Sequence, residues 1–158
     1  MRIEKILKLA PEIPLSKQII LNISFTQNLI SEKLSEVLKP HDISIEQFNV
    51  LRILRGQKGK PMNMGAIQER MLAKTSNTTR LIDKLLIKKM VTRNICKSNR
   101  RKIEVSITPE GLQLLEKVDG LVENLEKELI YDFSEDEQKE LIFLLEKLRK
   151  QYKSSVSK

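Results

Sequence analysis

The sequence predicts a mainly α-helical chain carrying one small β-hairpin. Three observations point there. Apolar residues recur at spacings of three, four or seven through the stretches 15–39, 110–130 and 135–152, as on one stripe of an amphipathic helix. Between the first two stripes lie three shorter helical patterns divided by turn signals. After those the period falls to two, over 91–95 and again over 103–107, on either side of a polar loop. With 158 residues, 40% hydrophobic and 32% charged, the chain is long and apolar enough for one core. It contains no repeat, low-complexity tract or flexible linker.

Taken in order, Ile20, Ile23, Ile30, Leu34 and Val37 make the first stripe, which Pro40 stops. Ser44-Ile45-Glu46-Gln47 is a capping box, with Ile43 and Phe48 as its hydrophobic staple, so a helix is expected from 45 to about 55, ending at Gly56. Residues 57–61 read as a turn. A short helix over about 63–71 turns Ile67 and Met71 inward. After a break near 72–74, a second helix runs from near Lys74 to about Lys89 with Thr78, Leu81, Ile82 and Leu85 inward. The corner between them is short, as a helix-turn-helix requires. Val91, Arg93 and Ile95 alternate with Thr92 and Asn94, and Ile103, Val105 and Ile107 with Glu104 and Ser106, giving the hairpin. Thr108-Pro109 starts a long helix as cap and first residue. Ser134-x-x-Glu137 is a second capping box and opens the last helix, with Leu141, Leu144 or Leu145, Leu148 and Tyr152 on one side. The pattern is a winged helix-turn-helix over 43–108 within a single domain of 1–158, flanked by long helices at 1–40 and 109–158.

Net charge is +8, and its distribution is one-sided. Residues 1–51 are neutral, residues 52–102 hold 15 Lys/Arg against only Glu69 and Asp83 for a net +13, and residues 103–158 carry −5. A block this basic, placed on the short helices and the hairpin, is the footprint of contact with a polyanion. Aromatics at 4% with no Trp disfavour stacking of single-stranded bases or RNA. The block is not a basic amphipathic helix, and the longest apolar runs, such as 141–145, are far short of the roughly 20 residues that span a bilayer. Residues 1–10 are interrupted by Glu4, Lys5 and Lys8 and lack the apolar stretch of a secretory signal, so a cytoplasmic location is expected. One cysteine, Cys96, and one histidine, His41, allow neither an intrachain disulfide nor a cysteine zinc site. Cys96 reads as an incidental free thiol and His41 as a loop residue. No catalytic constellation, metal site or cofactor site is recognisable, so an enzyme is not expected.

At the hairpin and the helix before it the sequence resembles the MarR-type (multiple antibiotic resistance regulator) winged-helix regulators. The stretch Asn99-Arg100-Arg101-Lys102-Ile103-Glu104-Val105-Ser106-Ile107-Thr108-Pro109-Glu110-Gly111 is similar to that family's Asp-x-Arg, strand, Leu-Thr-x-x-Gly pattern. Thr79-Arg80-Leu81-Ile82-Asp83-Lys84-Leu85 looks like the middle of its recognition helix. The likeness is detailed over about 44–115. This chain departs from it with Asn99 for the usual Asp, Lys74 for a Ser or Asp cap, and Met90 where the turn usually has Gly.

A helix that enters the major groove presents its first turns to base edges and phosphates. The outward residues of the helix near Lys74 are Thr75, Ser76, Asn77, Thr79 and Arg80: short hydrogen-bonding groups and an Arg. Lys74 opposes the helix dipole but suits a nearby phosphate. Arg100 and Arg101 sit at the expected hairpin tip with Lys97 and Lys102 beside them, a wing that can lay an Arg into the minor groove, and the resemblance singles out Arg101 as that Arg. Arg52, Arg55, Lys58, Lys60, Arg70 and Lys84 are expected to include further phosphate neighbours. The long apolar stripes exceed what one short-helix core covers, so a homodimer is expected. Double-stranded DNA is the expected partner, through a pseudo-palindromic site, and the resemblance implies a repressor released by a small-molecule effector. The competing reading is a winged helix that docks another protein without binding DNA; net +13 over 52–102 argues against it.

Overall fold

The first predicted stripe becomes a helix, but a shorter element precedes it. The computed structural model describes residues 2–9, 13–73, 77–95 and 103–156, the last six without their side chains. It opens with α1 (Ile3–Ile6), four residues that bury Ile3 and Glu4 and pack on α2 (Leu15–Leu38). Sequence periodicity gave no sign of α1, because one turn holds too few residues to show a period. α2 ends in a 3-10 turn, Lys39–His41, whose Pro40 cannot continue the α-helical hydrogen bonding, and Asp42 then reverses the chain with a left-handed φ of 52°.

The capping box forms as read. Gln47 N donates to Ser44 Oγ at 3.2 Å, Ser44 N donates to Gln47 Oε1 at 3.1 Å, and α3 (Ile45–Arg55) follows with Ile43 and Phe48 both buried. The turn after it places Lys58 and Gly59 at positive φ. It then yields an unpredicted strand, β1 (Met62–Asn63), too short for alternation to reveal. Asn63 also caps α4 (Met64–Arg70), accepting from Ala66 N at 2.9 Å.

α5 (Thr78–Ile87) begins later than the expected start near Lys74. Asn77 is its N-cap, with φ of -72° and ψ of 88° and its side-chain oxygen accepting from Arg80 N at 3.1 Å, which satisfies one free amide of the helix start. Thr78, Ile82 and Leu85 are buried and Leu81 half-buried, as the pattern predicted. The helix stops at Ile87, and the left-handed turn falls at Lys89 (φ 58°), one residue before Met90. The position that favours glycine is therefore Lys89, which corrects the departure placed at Met90.

β2 (Val91–Ile95) and β3 (Ile103–Ile107) pair antiparallel, with Val91 opposite Ile107 and Ile95 opposite Ile103. β1 joins on the other side of β3 through Met62 opposite Val105, so the sheet order is β1-β3-β2. Thr108 opens α6 (Pro109–Leu129): its hydroxyl donates to the Lys89 carbonyl at 2.7 Å and accepts from Gly111 N at 3.1 Å.

One core occupies the unit Met1–Val122. Leu38, Val50, Leu51, Leu54, Ile67, Ile82, Leu85, Val105, Leu115 and Val118 are all fully buried there. Asp119 on α6 accepts a two-pronged ion pair from Arg55 on α3, with one Nη2–Oδ1 separation of 3.3 Å. The second unit, Glu123–Lys158, holds the end of α6 and α7 (Glu135–Val156). α7 starts at the predicted box, Ser134 N donating to Glu137 Oε2 at 2.8 Å. Among its large apolar side chains, Leu141, Ile142, Phe143, Leu144 and Leu148 are exposed and Leu145 is half-buried.

Candidate nucleic-acid interface

α4 and α5 are the two helices of the helix-turn-helix, and the first turns of α5 carry its exposed polar side chains. Burial of Thr78, Ile82 and Leu85 fixes the rotation of this helix about its axis. That rotation leaves Thr79, Arg80, Asp83 and Lys84 exposed on the opposite side. Arg80 and Lys84, four residues apart, share one face and form no ion pair within the described residues. Together with Asn77, Leu81 and Glu46 of α3 they line an open groove of about 350 Å³. The N-terminal amides of α5 add partial positive charge at the same end.

Of the residues read from sequence as DNA contacts, Asn77, Thr79 and Arg80 are brought together on the α5 start. Asn77 stands there with its side-chain oxygen already engaged as the cap. Lys74, Thr75, Ser76, Lys97, Arg100 and Arg101 lie outside the described residues, as do Cys96, Asn99 and Lys102. Among the additional cations, Lys58, Lys60, Arg70 and Lys84 are exposed. Arg55 instead spends its guanidinium on Asp119, and Arg52 lies over the Phe48 ring at 5.6 Å from its centroid.

Two cations that sequence reasoning did not single out act at the edges of α5. Arg93 on β2 reaches Asp83 with Nη2–Oδ1 at 2.6 Å, tying the hairpin to α5. The sequence hint was Asp83 itself, one of only two acids in residues 52–102. Lys88 grips Asp42 twice, by the carboxylate at 2.9 Å and by the carbonyl, joining the end of α5 to the corner before α3. Beside that link runs an open cleft of about 800 Å³ between the last turns of α2, the start of α3 and the end of α5. Ile43 and Ile87 give it apolar wall, Glu32 and Glu36 acid, and Lys39 and Lys84 cationic groups. His41 is half-buried in the 3-10 turn, and no cluster of three or more metal-ligating side chains occurs among the described residues. No helix among them is long and apolar enough to cross a membrane.

Comparison with known proteins agrees with this architecture. Residues 43–103 match the model of the MarR family. The HTH-type transcriptional regulator YdgG of Bacillus subtilis is 33% identical over 117 residues, spanning 73% of this chain and 76% of that protein. A MarR transcription factor from Planctomyces limnophilus is 30% identical, with a TM-score of 0.67 over 85% of this chain and 98% of its own. A mutant of Escherichia coli MarR, solved in complex with operator DNA, is 27% identical with a TM-score of 0.75, covering 86% of this chain and 99% of its own. These relatives are transcriptional regulators and not enzymes. A helix-turn-helix, a hairpin packed against its second helix, and long helices before and after it are all present in order, and the chain belongs to the MarR family of transcriptional regulators.

Proposed function

We propose that this protein is a cytoplasmic, ligand-responsive repressor that grips a pseudo-palindromic DNA duplex as a homodimer. The observation that carries the reading is the outer face of α5, where Thr79, Arg80 and Lys84 stand exposed with both cations unpaired in the described structure. An Arg there matches the paired acceptors of guanine or a phosphate, and a Thr offers both a hydroxyl and a methyl to base edges. The E. coli relative solved on operator DNA supports the same use of this fold. Residues 43–108 would form the DNA-binding part, with Lys74, Thr75, Ser76 and Asn77 near the start of α5. The segment holding Lys97, Arg100 and Arg101 would reach the minor groove.

The helices of 1–40 and 109–158 would join two subunits. α2 leaves Leu15, Ile19 and Ile20 exposed, and α7 leaves Leu141, Ile142, Phe143 and Leu144 exposed. Apolar surface on this scale marks an interface rather than a free face. The cleft beside Lys88 and Asp42 has the size of a small-molecule site and lies between helical arm and α5, where an occupant would bias the α5 position.

Binding to a synthetic duplex, measured across a salt series, tests the reading. Affinity should fall steeply with salt, because neutralised phosphates release counterions. Arg80→Ala should weaken binding at every sequence by about tenfold or more, whereas Arg101→Ala should weaken it chiefly at sites with A·T-rich flanks. Weak binding indifferent to salt, with neither substitution having an effect, would contradict it.

A further inference from the structure

α5 contains one acidic residue, Asp83, and it sits among the cations that face outward. It lies three residues after Arg80 and directly before Lys84, and residues three apart on a helix are surface neighbours. Left alone, that carboxylate would pair with Arg80 and repel an approaching phosphate. It is not left alone. Arg93 stands opposite Val105 in the β2–β3 ladder, on the sheet face that also carries buried Val91. Its stem runs along that face and its guanidinium leans across to Asp83 at 2.6 Å, a charge-assisted bond. The Arg93 side chain is 31% exposed and that of Asp83 50%, so solvent screens the pair and it contributes little to stability. Its consequence lies in the local field.

We propose that Arg93 is a positioning residue for DNA binding: by holding Asp83 it withdraws the only carboxylate of α5 from Arg80 and Lys84, leaving both cations for the polyanion. The inference rests on the DNA-binding reading above. Glu46 also lines the groove beside Arg80 and Lys84, yet it makes no ion pair among the described residues, so Asp83 is the acid that a dedicated partner restrains.

The test is a charge-balanced cycle on the full-length protein, with a mixed-sequence synthetic duplex of about three helical turns as probe. Arg93→Gln should lower affinity by about tenfold and flatten the salt dependence. Adding Asp83→Asn to it restores the wild-type net charge and should recover affinity to within about threefold, with the salt slope. Asp83→Asn alone should bind at least as tightly as wild type, an arm that stands even if Arg93→Gln fails to fold. A double variant as weak as Arg93→Gln would mean that Arg93 contacts phosphate itself or only supports the fold, and would overturn the proposal. So would wild-type affinity in Arg93→Gln, or a loss in Asp83→Asn alone. Failure of the wild-type protein to bind the duplex would instead count against the DNA-binding reading.

Discussion

Gly111 is where two segments of backbone come closest. A Cβ at that position would lie 2.4 Å from the Met90 carbonyl oxygen and 2.8 Å from Ile107 Cγ1, so only hydrogen fits. The same Met90 carbonyl accepts from Thr108 N, and the Thr108 hydroxyl holds both the Lys89 carbonyl and Gly111 N. This cluster fixes where β3 ends, where α6 begins and how the turn after α5 docks on both. Gly111→Ala should therefore destabilise the protein by roughly 1–3 kcal/mol through overpacking, read as a lower midpoint of chemical denaturation; an unchanged midpoint would contradict the close approach. The sequence pattern Thr-x-x-Gly marked the spot, but only the packing shows that the constraint comes from Met90 on a different segment. Side-chain pairings across segments were still harder to read. Arg55 was grouped with phosphate neighbours and is committed to Asp119, while Arg93 looked like one residue of a strand and reaches Asp83 on α5. Spacing in sequence carries no information about such long-range partners.

Elements were most legible where local chemistry decides them. Both capping boxes form, because Ser44 with Gln47 and Ser134 with Glu137 satisfy free helix amides with groups only three residues away. At α5 no cap was read from sequence and the start was expected near Lys74; the cap is Asn77, whose oxygen meets the Arg80 amide. α1 and β1 were missed: four and two residues cannot display a period, and both depend on tertiary partners, α2 for one and β3 for the other. The α7 cap carries a pH dependence. The Ser134 hydroxyl, and then its backbone amide, donate to Glu137 and hold its carboxyl below the ordinary value of 4.5. A depressed folded value means that the cap is complete above the ordinary glutamate range and is lost as pH falls through the folded value. NMR titration of Glu137 should give a midpoint below that of an unpaired glutamate, and Ser134→Ala should return it to the ordinary range. A midpoint at the ordinary value in the wild-type protein would contradict the box.

At the scale of the whole molecule, net charge is sorted by segment along the chain. Positive charge gathers over 52–102, the helix-turn-helix and hairpin, while the segment from 103 onward is net acidic and ends in a helix with five exposed large apolar side chains. If the proposed function holds, phosphate attraction and subunit association draw on separate segments. This sorting was readable from sequence, since net charge by segment and stripe length need no coordinates. The apolar stripe of α2 was readable too, but its division was not: Leu34, Val37 and Leu38 pack on the core while Ile19, Ile20, Leu29 and Ile30 stay exposed. Periodicity reports which face of a helix is apolar, not what covers it.

Selection of bound duplexes from a random pool by the intact protein tests the central claim most directly. Two recognition helices related by a two-fold axis should enrich an inverted repeat whose half-site centres lie one helical turn, about 34 Å, apart. A pool that shows no enrichment, or that converges on a single unrepeated element, would contradict it.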